Sequence, residues 1–369
     1  MKTILILLLV IISNLTIAQE LARFVSEGKY GYINRQGDVV IQDTFTKAMD
    51  FSDDLAGVLI KDKWGYINRK GELVIEAKFS KVKDFNSGIA IVNKDDKWQY
   101  IDKKGNLKTD FPTTDKLYDF SEGRAIIKTG DLVGMINESG KTVVQPTYQE
   151  IKPLSNGYAK AKKGESWGYI NGAGAVVIDL DYRDLGTIVN NVTWGLKDEK
   201  YGIIANNKFT VIDGITKMWD FNAQGIAYAQ SNDKIGFINT KGEWIIEAKY
   251  DKARAFENGI APVYIDKKWG YIDLKGNWIV EPKYKDAEIF SEEGLAPVKE
   301  KYWGFINTKG ELVIPTEYAI TAGFGLFSNS SKGYNKGLVR VKSKKGYTFL
   351  DKEGKPLGGK WYRNLELFN

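Results

Sequence analysis

A glycine recurs along this chain at a spacing that leaves few folds open to it. It stands at Gly31, Gly65, Gly134, Gly168, Gly202, Gly236, Gly270 and Gly304, with Gln99 and Thr348 in the same place in two further copies. The steps between successive positions are 34, 34, 35, 34, 34, 34, 34, 34 and 44 residues. A fixed period of this length marks a repeat architecture, in which each copy is one supersecondary unit. Ten units fill nearly the whole chain, and the one long step marks an insertion at residues 323–337.

Each unit reads as three short strands. In unit two the first run is Trp64-Gly65-Tyr66-Ile67-Asn68, followed by Arg69-Lys70-Gly71 and a Val/Leu/Ile-rich return over residues 72–76. Asn at the first turn position and Gly at the last suit a type I turn closing a hairpin, the Gly being free to take φ > 0. The third run, Gly88-Ile89-Ala90-Ile91-Val92, matches Gly259-Ile260-Ala261-Pro262-Val263 and Gly294-Leu295-Ala296-Pro297-Val298. A proline cannot donate to a sheet ladder, so this run lies on an edge or pairs only partly.

One such unit cannot stand alone. Ordering 34 residues costs on the order of 50 kcal/mol at about 1.5 kcal/mol per residue, beyond what three short strands bury. Each unit must therefore hide its apolar faces against its neighbours. A Gly inside a strand weakens it unless something approaches the backbone closely, so Gly65 reads as a slot for a neighbouring ring or strand. The residue before it varies among Trp64, Tyr30, Val133 and Ile235, a tolerance that suits packing and not a stacking or catalytic role.

The repeated nonamers, KWGYINRKG at residues 63–71, KWGYIDLKG at 268–276 and YWGFINTKG at 302–310, carry a family resemblance. The chain resembles the WG-repeat proteins, whose unit reads K-W-G-[YF]-I-[ND]-x-x-G before an apolar return strand, over residues 28–354. Unit six departs most, since Tyr201-Gly202-Ile203-Ile204-Ala205 lacks the closing Lys-Gly turn. The resemblance implies a bacterial, mostly β repeat protein, often exported, and brings no catalytic residues to carry over.

The start of the chain bears on the compartment. Lys2, the apolar run 4–12 and the small residue Ala18 follow the order of a secretory signal peptide. Residues 1–18 are expected to be removed and 19–369 to form the array, secreted or periplasmic, without membrane insertion. No Cys stands near the cleavage point to carry a lipid. The mature chain has 52 basic and 47 acidic side chains, interspersed as in Lys61-Asp62-Lys63. That reads as a solvated surface and not as a nucleic-acid stripe.

The chain has no Cys and no His. Disulfides, imidazole bases, Ser-His or Cys-His nucleophiles and thiolate or imidazole metal sites are excluded. No cofactor is expected. The carboxylate pairs Asp53-Asp54, Asp95-Asp96 and Glu292-Glu293 read as solvated loop charge and not as a glycosidase pair, which needs a cleft and one raised pKa. Two features could bind a partner. One is the inserted loop with Phe324, Phe327 and Tyr334. The other is the pair Trp244 and Trp278, which replaces Leu73 and Leu312 at one strand position; a substitution for Leu points to core more than to ligand.

The expectation is thus an all-β tandem array stacked as an open, solenoid-like superhelix, because ten units are many for a propeller; a closed propeller-like ring is the alternative. The expected function is an exported, non-enzymatic scaffold for another macromolecule, a protein first, with glycan or cell-wall binding through surface aromatics as the alternative.

Overall fold

The computed structural model describes residues 19–369 apart from 113, 115 and 321–332. The signal-like segment and the loop positions Phe324 and Phe327 therefore lie outside the described residues. Unit two shows the common plan. A first strand, Leu55–Ile60, pairs with the motif strand Lys63–Asn68 through a two-residue turn in which Lys61 and Asp62 take φ of 46° and 66°, the type I′ geometry that matches strand twist. The motif strand then pairs with the return strand Leu73–Phe79. Asn68 shapes the second turn: its Oδ1 accepts from the Lys70 and Glu72 N–H groups at 3.0 Å each, and Gly71 sits at φ 84°. Most units add a two-residue strand, such as Lys81–Val82, on the free side of the first strand.

The recurring glycine follows from the register. Trp64 faces Phe79 and Tyr66 faces Ile75, so two steps on the motif strand span four on the return strand. The return strand bulges over Gly65. A methyl group there would lie 2.6 Å from the Ile75 carbonyl oxygen and 2.8 Å from the Ala77 nitrogen. Gly31, Gly168, Gly270 and Gly304 meet the matching carbonyls of Ile41, Ile178, Val280 and Ile314 at 2.5–2.7 Å. The slot is filled first by backbone, in ordinary extended conformation, and a ring joins it at Gly31 (Phe24), Gly202 (Phe209) and Gly270 (Trp278). Gln99 and Thr348 occupy units without this bulged strand, where a side chain has room.

The units close into a ring. Among the described residues ten buried apolar clusters lie one at each junction between consecutive units. The tenth joins the two ends: Ala22, Phe24 and Ile33 of unit one pack on Tyr347, Phe349 and Leu365. The C-terminal strand Asn364–Phe368 pairs antiparallel with Ala22–Ser26, and Leu21 and Asn369 exchange backbone hydrogen bonds of 3.1 and 3.2 Å. The open superhelix is therefore corrected to a closed β-propeller. Its ten units form nine hydrogen-bonded sheets, because units nine and ten share the long strand Leu312–Ile320 in one six-stranded sheet. An open array would leave Phe24 at one end and Phe349 at the other in water; closure buries each with the other.

Both faces of each sheet are covered, which is why neighbouring motif residues Tyr66 and Ile67 are both buried. The hydroxyl of Tyr66 reaches the next unit and donates to the Lys83 carbonyl at 2.7 Å; Tyr32, Tyr100, Tyr169 and Tyr271 make the same bond to the carbonyl 17 or 18 residues on. Burial pushes these phenols up, to about 12 for Tyr100 and Tyr169. Pro262 and Pro297 lie in first strands that face a motif strand on one side and a two-residue strand on the other, the partial pairing that proline allows. Unit six keeps the plan with a shorter return strand, Lys208–Val211, turned by Asn206 and Asn207 at φ 50° and 57°.

Candidate functional site

Three surfaces of the ring carry side chains that could meet a partner. The first is the edge where the two-residue strands converge. Charged groups bridge consecutive units there: Arg23–Asp50 at 3.0 Å, Lys83–Asp119 at 2.9 Å, Lys160–Asp184 at 2.6 Å, and Arg254 to Asp286 at 3.0 Å and Glu288 at 3.2 Å. Enclosure at this inner edge pushes the Asp50 carboxyl up, against the pull of Arg23. It also raises Asp84, to which the like charges of Asp50 and Asp119 add. Among the described residues no group of three or more acidic side chains is placed to hold a metal ion. Cations alternate with carboxylates along this edge, an arrangement that serves cohesion between units.

The second surface is the row of turns at one end of the ring, where two of the sequence pairs of carboxylates fall, Asp53-Asp54 and Glu292-Glu293; Asp95-Asp96 lies at the other end of its strand. Asp53 accepts from the Gly88 N–H at 2.5 Å, and Glu122 accepts from the Asn156 and Gly157 N–H groups at 2.7 and 2.8 Å. Glu293 accepts from the Gly337 N–H at 2.5 Å. Burial would raise the Glu293 carboxyl, but that bond and the Ser291 hydroxyl hold it low. Asn258 donates to the Ser291 carbonyl at 3.0 Å and Ser52 to that of Phe85 at 2.6 Å. These side chains latch each turn to the turn of the next unit. Asp95 and Asp96 occupy a hairpin turn at φ 51° and 59°.

The third surface is the rim formed by the return strands. Their first residues point outward: Leu73 is 47% exposed, Trp278 36% and Leu312 52%, and Val74, Val176, Ile245 and Val313 are exposed with them. The reading of this position as core is thereby corrected, because each return strand enters from a turn that the next sheet does not cover. Trp244 is half-buried against the cluster between units six and seven, and Trp278 meets the Tyr250 ring edge-on with centroids 6.2 Å apart. Tyr334 is not at the tip of the inserted loop. It is buried, meets Phe305 edge-on at 5.1 Å and donates to the Asp351 carbonyl at 2.6 Å. It thus takes the core place held by Phe85 against Tyr66 and by Phe290 against Tyr271, and it offers no ring to a ligand. The exposed rim was missed in the sequence because its residues are as apolar as a core.

A closed all-β ring of repeated antiparallel units, cemented by aromatic and turn contacts between neighbours, defines a repeat β-propeller. The pattern of the family described as "WG containing repeat" matches residues 30–64, 64–98, 100–132, 134–166, 167–201, 235–269, 269–302 and 303–319. The chain belongs to that family. The unmatched stretch between 201 and 235 is the degenerate unit six, and the tenth unit lies beyond the last match. No curated relative matches the sequence. Among solved structures, the chain is similar to one described as the crystal structure of the eukaryotic initiation factor, 11% identical over 80% of this chain and 94% of that one, with a TM-score of 0.47. Another is Hsv2 of Kluyveromyces lactis, 9% identical over 60% and 89%, TM-score 0.32. A third is the extracellular domain of a putative hybrid two-component system from B. thetaiotaomicron, 10% identical over 91% and 61%, TM-score 0.26. Nothing about partner or activity is taken from these loose likenesses.

Proposed function

We propose that this chain is an exported, non-enzymatic propeller that holds a protein partner on its rim. The observation that carries the reading is the set of outward apolar residues at the start of the return strands, Leu73-Val74, Trp278 and Leu312-Val313, with exposed Glu76 and Lys78 further along unit two. An apolar centre bordered by charge is the make-up of protein interfaces. Pro146 and Pro282 interrupt the backbone donors of two of these edge strands, which disfavours strand addition; contact would run through side chains. The carboxylates with raised pKa at the inner edge, Asp50 and Asp84, both feel the Arg23 charge, which supports cohesion over acid-base work.

Capture from the exported fraction, followed by peptide identification, tests the reading with residues 19–369 as bait. Trp278→Lys combined with Leu312→Lys should abolish retention of a defined protein while the melting temperature stays put. Undiminished retention would move the site off the rim. Hydrolysis of any substrate in a glycan panel, lost on changing Asp50 or Asp84 to Asn, would overturn the non-enzyme reading. The exported protein should begin at Gln19.

A further inference from the structure

Unit three breaks the repeat at two linked places, and together they leave an opening. The glycine position holds Gln99, and the bulged return strand is missing. After one bridge between Ile101 and Leu107 and a hydrogen bond from the Lys108 N–H to the Tyr100 carbonyl, the chain turns inward. There it seats Phe111 against the rings of Tyr100 and Phe120, at 5.1 and 6.0 Å. The outer side of the motif strand is left uncovered. In regular units the tryptophan before the glycine is at least half-covered: Trp269 faces Tyr284 and Trp303 faces Tyr318, and each is 7% exposed, while Trp64 and Trp167 are half-buried. Trp98 is 45% exposed.

The opening has a volume of about 570 Å³, and Lys83, Lys97, Trp98, Gln99 and Lys116 are among its lining residues, a size that suits a small ligand. Lys83 is paired with Asp119. Among the described residues Lys97 and Lys116 stand in no ion pair; the Lys116 ammonium lies over the Tyr118 ring at 4.9 Å, a contact that leaves its charge open to an anion. The Oε1 of Gln99 is buried behind this lining and out of a ligand's reach.

We propose that this opening binds an acidic sugar, a uronic acid at the end of or within a glycan. The C–H face of a pyranose packs on the exposed Trp98 indole, and its carboxylate meets Lys97 and Lys116. A nucleotide would place two or more phosphate charges where the opening provides lysines without an arginine fork, and an acidic peptide lacks the stacking face. The site is distinct from the rim proposed above.

Calorimetric titration of residues 19–369 with trigalacturonate is the test, with the neutral galactose trimer, ATP and a short poly-glutamate peptide as comparison ligands. The expected result is saturable binding of trigalacturonate that weakens with added salt, with the neutral trimer at least about tenfold weaker. Trp98→Ala and Lys116→Gln should each weaken it about tenfold, in keeping with loss of a stacking or charge-assisted contact. Both residues are on the surface, so an unchanged melting temperature confirms the fold, and Trp278→Ala on the rim should leave the titration unaltered. Absence of saturable binding, equal binding of the neutral trimer, preference for ATP or the peptide, or indifference to Trp98→Ala would each overturn the proposal.

Discussion

Adding one methyl group at Gly65 and removing a side chain at Gln99 should both destabilise the ring, for opposite reasons. At Gly65 the methyl would lie 2.6 Å from the Ile75 carbonyl oxygen, and 2.8 and 2.9 Å from the nitrogen and Cα of Ala77. All three contacts are backbone of the bulged return strand, which the motif strand holds in register, so no flexible side chain can yield. Overpacking of this kind costs about 1–3 kcal/mol. The native φ is not in the left-handed region, so alanine recovers about 0.4–1 kcal/mol by restricting the unfolded chain. The expected net for Gly65→Ala is a loss of about 1–2 kcal/mol. No bulge crosses position 99, so Gln99→Gly relieves no clash and places a flexible residue in a strand, a loss of roughly 0.5–1 kcal/mol. Urea unfolding of residues 19–369, followed by far-ultraviolet circular dichroism and by Trp emission, measures both, coincident transitions being the condition for comparing free energies. A neutral or stabilising Gly65→Ala would refute the bulge as the reason for the recurring glycine.

Ring closure predicts that removing residues 364–369 is far worse than trimming a terminus: Leu365 is fully buried, about 1.5–3 kcal/mol by itself. Arg340, with a side chain 1% exposed, loses its bonds to the Leu365 carbonyl and to Glu366. Sedimentation should show self-association through the uncovered faces of units one and ten, and a monodisperse, fully folded truncation would contradict closure. Tyr66→Phe removes the 2.7 Å bond to the Lys83 carbonyl and should cost about 1 kcal/mol, read from the melting curves of the two proteins. Because enclosure and the like charges of Asp50 and Asp119 raise Asp84 above its ordinary 3.8, the folded state holds that proton more tightly than the unfolded chain. The stability tied to this group is present below the ordinary value and is lost as pH rises through the raised one. Asp84→Asn should therefore raise the melting temperature at pH 7 relative to pH 4, and the opposite sign would show the carboxylate to be favourably paired.

How much of this was legible in the sequence depended on the range of the interaction concerned. The period, the Asn-x-x-Gly turn and the close approach at Gly65 are set within one unit, so a single copy such as residues 63–79 contains their causes. Closure is not local: it rests on Asn364–Phe368 finding Ala22–Ser26. The trace it leaves is a short alternation, Asn364-Leu365-Glu366-Leu367, beyond the last recognisable turn. The direction of the rim was hidden for a different reason. Leu73 and Ile75 are equally apolar, and only the reach of the neighbouring sheet leaves the first in water and buries the second. Gln99 offers the instructive case. Read alone it is a lapse from a pattern; together with the stretch Asp102-Lys103-Lys104-Gly105-Asn106, which is followed by no Val/Ile-rich return, it becomes a consequence. Where the strand that demands the glycine is lost, the demand is lost with it, and the tryptophan beside it, no longer faced by a ring, is left in solvent. An exception in a repeat thus points to a missing contact, and a missing contact in a closed ring is where a ligand has room.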